Sequence, residues 1–155
     1  MRDIKKIIVH HTADVSNAPQ FDKVNEYHKT LGFPRSLLGY YCGYHVLIER
    51  SGEIRVARFF EEIGAHDKGE NMDSIGVGLA GNFDGKKPSL EQGHALGSLL
   101  AMLTAHYGLP DGAIEPHRIG DNTSCYGKML SDAWAREITA AFRSGFFGNN
   151  NFSKI

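Results

Sequence analysis

The hydrophobic and polar positions divide the chain into an ordered series of strand-like and helix-like segments. Residues 4–11 form a β-branched apolar run that ends in His10 and His11, and the polar Thr-Ala-Asp-Val-Ser-Asn that follows is turn-like; the pattern predicts a central strand whose end faces a cleft. Ser16 or Asn17 is a candidate N-cap with Pro19 in the first turn, and Phe21, Val24, Tyr27, His28 and Leu31 recur at helical spacing until Gly32, so a helix running to about Leu31 is expected. After a loop over residues 32–39, residues 41–49 and a second segment through Ala57, separated by Arg50-Ser51-Gly52-Glu53, predict a hairpin.

A Gly-rich, charged loop over residues 64–73 leads into residues 74–81, where Ser74, Gly76, Gly78 and Ala80 alternate with Ile75, Val77 and Leu79. Small residues at every second place predict a buried strand against which something packs closely. Ser89-Leu90-Glu91-Gln92 has the form of a capping box, and Leu96, Leu99, Leu100 and Leu103 form the stripe of a helix closing near Gly108. A short strand around residues 113–117 and a last helix, beginning at Ser131 or Asp132, carrying Trp134, Ile138 and Phe142 and ending at Gly145, complete the series.

Strands separated by helices, with one hairpin, imply an α/β domain: a central mixed β-sheet flanked by helices. The length of 155 residues suits one domain, expected over residues 1–147, with residues 148–155 as a loose tail. Apolar residues at 41% and charged residues at 23% are ordinary globular usage, which removes disordered, collagenous and coiled-coil readings. A formal net charge of -1 supplies no field to draw nucleic acid or an anionic membrane. The apolar run from Ile7 to Val9 is too short for a signal-peptide core of about 7–15 residues, and nothing approaches the ~18 apolar residues of a membrane span. Synthesis in a cytoplasm without a signal peptide, no nucleic-acid or membrane partner, and a monomer are the expectations.

Eight histidines are many for this length, and the chain is large enough to fold without disulfide staples, so Cys42 and Cys125 are read as a ligand or a plain core thiol. His10-His11 at a strand end, His117 with Cys125 eight residues further on, and His66 in the long loop single themselves out. A catalytic zinc takes three protein groups, among which imidazole and thiolate are preferred, plus a water. Adjacent strand residues point to opposite faces, so only one of His10 and His11 can reach a given metal, and spacing does not say which.

Several segments read in order are more specific. Ile7-Ile8-Val9-His10-His11-Thr12-Ala13, Gly43-Tyr44-His45-Val46-Leu47-Ile48, Gly64-Ala65-His66, Asn71 followed by Ser74-Ile75-Gly76-Val77, Gly81-Asn82-Phe83, and His117-Arg118 with Thr123-Ser124-Cys125 form one series. From residue 4 to residue 142 the chain resembles the zinc-dependent N-acetylmuramoyl-L-alanine amidases, a family that includes small phage lysozymes and peptidoglycan recognition proteins. The resemblance implies one zinc ion held by His10, His117 and Cys125, with His11 facing away or lining the site. It implies Tyr44 and Thr123 as hydrogen-bond donors to the developing oxyanion, and His66 and Asn71 as residues lining the groove for glycan and stem peptide. Cys42 is expected to be a core or strand thiol, and His28, His94 and His106 to be solvated or packed side chains.

Two positions depart from parts of the family. Thr123 follows the recognition-protein pattern where phage lysozymes tend to carry lysine, so no positive charge helps there. Tyr126-Gly127 stands where Pro-Gly is common, which puts the geometry of that turn in question. The activity implied is hydrolysis of the bond between N-acetylmuramic acid and L-alanine of peptidoglycan, in the setting of a phage endolysin acting on the cell wall after release. The alternatives are a non-catalytic peptidoglycan-binding protein, disfavoured because such relatives lack the cysteine, and an intracellular muropeptide-recycling amidase, disfavoured because those use aspartate as third ligand.

Overall fold

A computed structural model of the chain describes residues 2–145. Five strands, β1 (Lys6–His11), β2 (Val46–Ile48), β3 (Ile54–Val56), β4 (Ser74–Leu79) and β5 (Ile114–Pro116), and three helices, α1 (Phe21–Thr30), α2 (Leu90–Tyr107) and α3 (Trp134–Arg143), follow the order read from the pattern. The sheet has the strand order β3-β2-β4-β1-β5. β1 runs parallel to β4 and β5, β2 runs parallel to β4, and only the β2–β3 hairpin is antiparallel. The expected tail, residues 148–155, lies outside the described residues.

Strand parity sorts the interior into two layers. Ile7 and Val9 of β1, Val46 and Ile48 of β2, and Ile75, Val77 and Leu79 of β4 share one cluster with Leu96, Leu99, Leu100 and Leu103 of α2 and Trp134, Ala135 and Ile138 of α3. Each of these strand side chains is fully buried, and a fully buried aliphatic side chain stabilises by roughly 1.5–3 kcal/mol, so this face holds most of the core. Leu47, of opposite parity, joins Phe21 and Val24 of α1 with Cys42 and Ala57 in a smaller cluster on the other face. That second face carries Ile8 and His10 of β1 and Ser74, Gly76 and Gly78 of β4, and it is where the cleft forms.

Helix α2 begins as its sequence dictates: Ser89 Oγ accepts from Gln92 N while Gln92 Oε1 accepts from Ser89 N, and Gly108 closes the helix in a left-handed conformation. Helix α1 differs from expectation. It starts at Phe21 and has no side-chain cap from Ser16 or Asn17; the Glu49 carboxylate, from the end of β2, accepts from both Gln20 N and Phe21 N. A remote anion at the positive end of the helix dipole does the work of a local cap. Asn17 instead accepts from Arg50, and Ser16 N donates to Asp14. Of the residues at helical spacing, Phe21, Val24 and His28 are buried, whereas Tyr27 and Leu31 are 60% and 50% exposed.

Helix α3 likewise starts later than Ser131 or Asp132, at Trp134, with no side-chain cap. The predicted strand over residues 41–49 is shorter because Gly43, Tyr44 and His45 bend away before the ladder begins. Cys42 is fully buried and unpaired. Among the described residues no helix is long and apolar enough to cross a membrane.

Candidate metal centre

β1 runs past the end of β5: the two strands pair only from Ile7 to Val9, leaving His10 and His11 beyond the last rung. The freed backbone N–H of His11 donates to Cys125 Sγ at 3.3 Å, which ties the late loop to the strand end. β5 stops at Pro116, opposite Val9, so His117 emerges next to His10 and their rings lie 4.5 Å apart between centroids. Ligand atoms of His10, His117 and Cys125 all lie within 4.8 Å of one another.

Parity decides between the adjacent histidines. His10 is 2% exposed on the cleft face, with Nδ1 3.9 Å from Cys125 Sγ. His11 turns to the core face, where its Nδ1 accepts from Phe83 N at 3.1 Å and its ring packs near that of Phe83. Its backbone, not its imidazole, serves the cluster.

The small residues of β4 have a specific task. A β-carbon at Gly76 would lie 2.3 Å from the His66 ring, and one at Gly78 would lie 2.7 Å from the Tyr44 ring. Those absent side chains let both rings lie on the sheet beside His10, each with its centroid 5.1 Å from the His10 ring. Tyr44 is backed by His28, whose ring is 5.4 Å away and whose Nδ1 accepts from Gly43 N. His28 is thus a packed side chain behind the site. His94 and His106 lie on α2.

The loop bearing Cys125 is held by Arg118. Its guanidinium donates to the carbonyls of Gly127 and Leu130 and to the Asp132 carboxylate, while its backbone N–H donates to the Cys125 carbonyl. Tyr126, which stands where the resemblance leads one to expect proline, is fully buried, donates its hydroxyl proton to the Ser131 carbonyl and packs on Trp134. The turn is anchored through the core. Gly127 sits at a φ of +122° against the Phe83 backbone, which no β-carbon would permit. Thr123 is exposed and its Oγ1 accepts from Cys125 N.

His66 and Asn71 line a cleft of about 370 Å³ with Phe33, Ala65, Asp67, Lys68 and Gly69. Asn71 Oδ1 accepts from the backbone of both His66 and Asp67, so it also shapes the loop. His45, to which sequence reading gave no role, clamps β4: its Nδ1 accepts from Gly76 N and its Nε2 reaches the Glu62 carbonyl. Two acidic residues went unnoticed in the sequence. Asp121 Oδ2 lies 3.0 Å and Asp67 Oδ2 3.9 Å from His117 Nε2, and the four-residue spacing of Asp121 from His117 was the only available signal.

Burial sets the protonation states of the donor set. Burial, and then the neighbouring imidazoles, hold His10 well below the ordinary histidine value, so its ring is neutral and able to ligate. Burial pushes the Cys125 thiol up to about 12, with the His11 N–H pulling weakly the other way. A cation is what would release that proton, since metal-bound thiols are deprotonated. Two imidazoles and a thiol in one cluster fit zinc with an open fourth position.

Known proteins resemble the chain in sequence and in fold. The chain is 34% identical over 97 residues to the endolysin of Escherichia phage T7, covering 59% of this chain and 58% of that one. It is 34% identical over 90 residues to the endolysin of Klebsiella phage KP32, so it spans a little over half the length of these curated relatives, 56% for the latter. The solved N-acetylmuramoyl-L-alanine amidase LysC from Clostridium intestinale superposes with a TM-score of 0.75 at 27% identity, covering 92% of this chain and 87% of its own. The profile described as N-acetylmuramoyl-L-alanine amidase matches residues 1–128, a stretch that contains the whole His10, His117 and Cys125 cluster, and the chain belongs to that family.

Proposed function

We propose that the protein hydrolyses the amide between the lactyl group of N-acetylmuramic acid and L-alanine in peptidoglycan, with one zinc ion held by His10, His117 and Cys125. The observation that carries this reading is the convergence of those three ligand groups within 4.8 Å, next to His66, which lines a cleft. Zinc in such a site supplies Lewis acidity and lowers the pKa of water from 15.7 toward about 7. Water adds to the lactyl carbonyl, the C–N bond breaks, and the amine of L-alanine takes the proton. No covalent enzyme intermediate is needed.

The chain's own groups then have defined work. Burial raises the Tyr44 phenol far above its ordinary value, so it remains a neutral donor that can hydrogen-bond the oxyanion without adding charge. Thr123, whose Oγ1 is an acceptor toward Cys125 N, has its hydroxyl proton to give to the substrate. The cleft lined by His66 and Asn71 takes the glycan and stem peptide. The endolysin names of the phage relatives support a setting in which the enzyme is made in a host cytoplasm and meets the wall after release.

The test is the chemistry of products released from purified peptidoglycan. Free L-alanine amino groups without new reducing sugar ends identify the bond; wall that is bound but uncut supports a recognition protein instead. Cleavage of soluble anhydro-muropeptides in preference to intact wall would point to muropeptide recycling.

A further inference from the structure

We propose that His66, held by Ser74, is a positioning residue that determines which nitrogen of His10 is offered to the metal. The inference rests on the reading that His10, His117 and Cys125 hold zinc, and it assigns the ring of His66 a task separate from lining the cleft.

The hydrogen-bond chain leaves a single proton arrangement. Ser74 Oγ lies 2.6 Å from the Glu70 carbonyl, an acceptor, so the hydroxyl proton points there. Toward His66 Nε2, at 3.3 Å, Ser74 Oγ is therefore the acceptor and Nε2 carries the proton. A neutral imidazole has one N–H, so His66 Nδ1 presents a lone pair. His10 Nε2 lies 3.1 Å from that lone pair and must be the donor. The remaining nitrogen of His10, Nδ1, is bare, and it is the one facing Cys125 Sγ at 3.9 Å. A backbone carbonyl at one end of the chain thus sets the ligating atom at the other.

The ring of His66 is closely confined, and its hydrogen bonds at Nδ1 and Nε2 set which way its nitrogens face. It sits between Gly64 and Gly76, where β-carbons would come within 2.6 and 2.3 Å of it, and its backbone N–H is fixed by Asn71 Oδ1. Groups that hold a metal-bound histidine from behind fix its tautomer and orientation, and losing one weakens metal binding by roughly 10- to 100-fold. Here the partner is a second imidazole and not a carboxylate, so the support adds no negative charge.

Three variants of the full chain test this. His66→Leu removes the acceptor, His66→Asn restores an oxygen acceptor close to the place of Nδ1, and Ser74→Ala frees the far end of the chain. The zinc dissociation constant, measured by competition with a chromophoric chelator, should rise roughly 10- to 100-fold in His66→Leu, move in the same direction in Ser74→Ala, and return to near wild type in His66→Asn. In metal-free wild-type protein, ¹⁵N NMR of the His10 ring should place the proton on Nε2. A proton on Nδ1, or wild-type zinc affinity in a folded His66→Leu chain, overturns the inference alone. Failure of the wild-type protein to take up zinc overturns the amidase reading and this inference together. Should His66→Leu not fold, Ser74→Ala and the NMR measurement decide.

Discussion

Tyr44 packs its ring against Gly78, at a place where a β-carbon would be 2.7 Å away. The same strand position is paired with His10, so the glycine sets the distance between the phenol and the metal cluster. Gly78→Ala is expected to lower stability by about 1–3 kcal/mol through overpacking and to displace the ring. Turnover on purified cell wall should fall roughly 10²- to 10³-fold, as in Tyr44→Phe, if the hydroxyl serves the oxyanion. Unchanged turnover in Tyr44→Phe would remove the residue from the chemistry.

Cys125→Ser should abolish hydrolysis while circular dichroism and thermal unfolding of the metal-free protein stay close to wild type. The thiol is the one soft ligand of the cluster, and its contact with the His11 N–H is a weak one. Elemental analysis should find about one zinc per wild-type chain and far less in the variant. Full activity after chelation and zinc add-back would contradict the ligand assignment.

Acid should destabilise the metal-free fold through its buried histidines. Burial holds His45 down to about 4 and, with the Arg58 charge nearby, His28 to about 4, against an ordinary value of 6.5. The unfolded chain therefore binds more protons between those values, so the stability is fully present above pH 6.5 and is lost as pH falls toward 4. For His45 the loss reaches about 2 kcal/mol at pH 5, and His28, His10 and His66 add in the same direction. Urea unfolding in the presence of a chelator at pH 7 and pH 5 measures it; a pH-independent midpoint would refute it.

Glu49→Ala should cost about 1–3 kcal/mol, because two buried N–H groups at the start of α1 lose their acceptor. Ser16→Ala and Asn17→Ala should each stay within about 0.5 kcal/mol, since neither caps the helix. Denaturant unfolding separates the two outcomes, and a large effect at Ser16 would restore the local cap.

The reading of α1 shows where local inference stops. Ser16, Asn17 and Pro19 carry all the marks of a helix start, yet the group that caps the helix is Glu49, which no spacing rule connects to residue 20. In α2 the cap is contiguous with the helix, and the capping box was legible from Ser89 and Gln92 alone. The candidate metal cluster falls between these cases. The residue types and their order were readable, but Asp67 acquired its role only where the 64–73 loop meets His117, and Asp121 and Arg118 acquired theirs where residues 117–132 fold back on themselves.

By itself the sequence determined the series of strands and helices, the layer of β4 that must be approached closely, and a donor set of imidazole and thiolate suited to zinc, because periodicity and small-residue alternation are local and donor chemistry is a property of residue type. Spacing left His10 and His11 equivalent, and the tertiary structure supplies the physical reason that His10 lies on the cleft face. That choice depends on which face of β1 the helices α2 and α3 cover, and their packing fills the odd-numbered face with aliphatic side chains while glycines at 76 and 78 leave the other face open for rings.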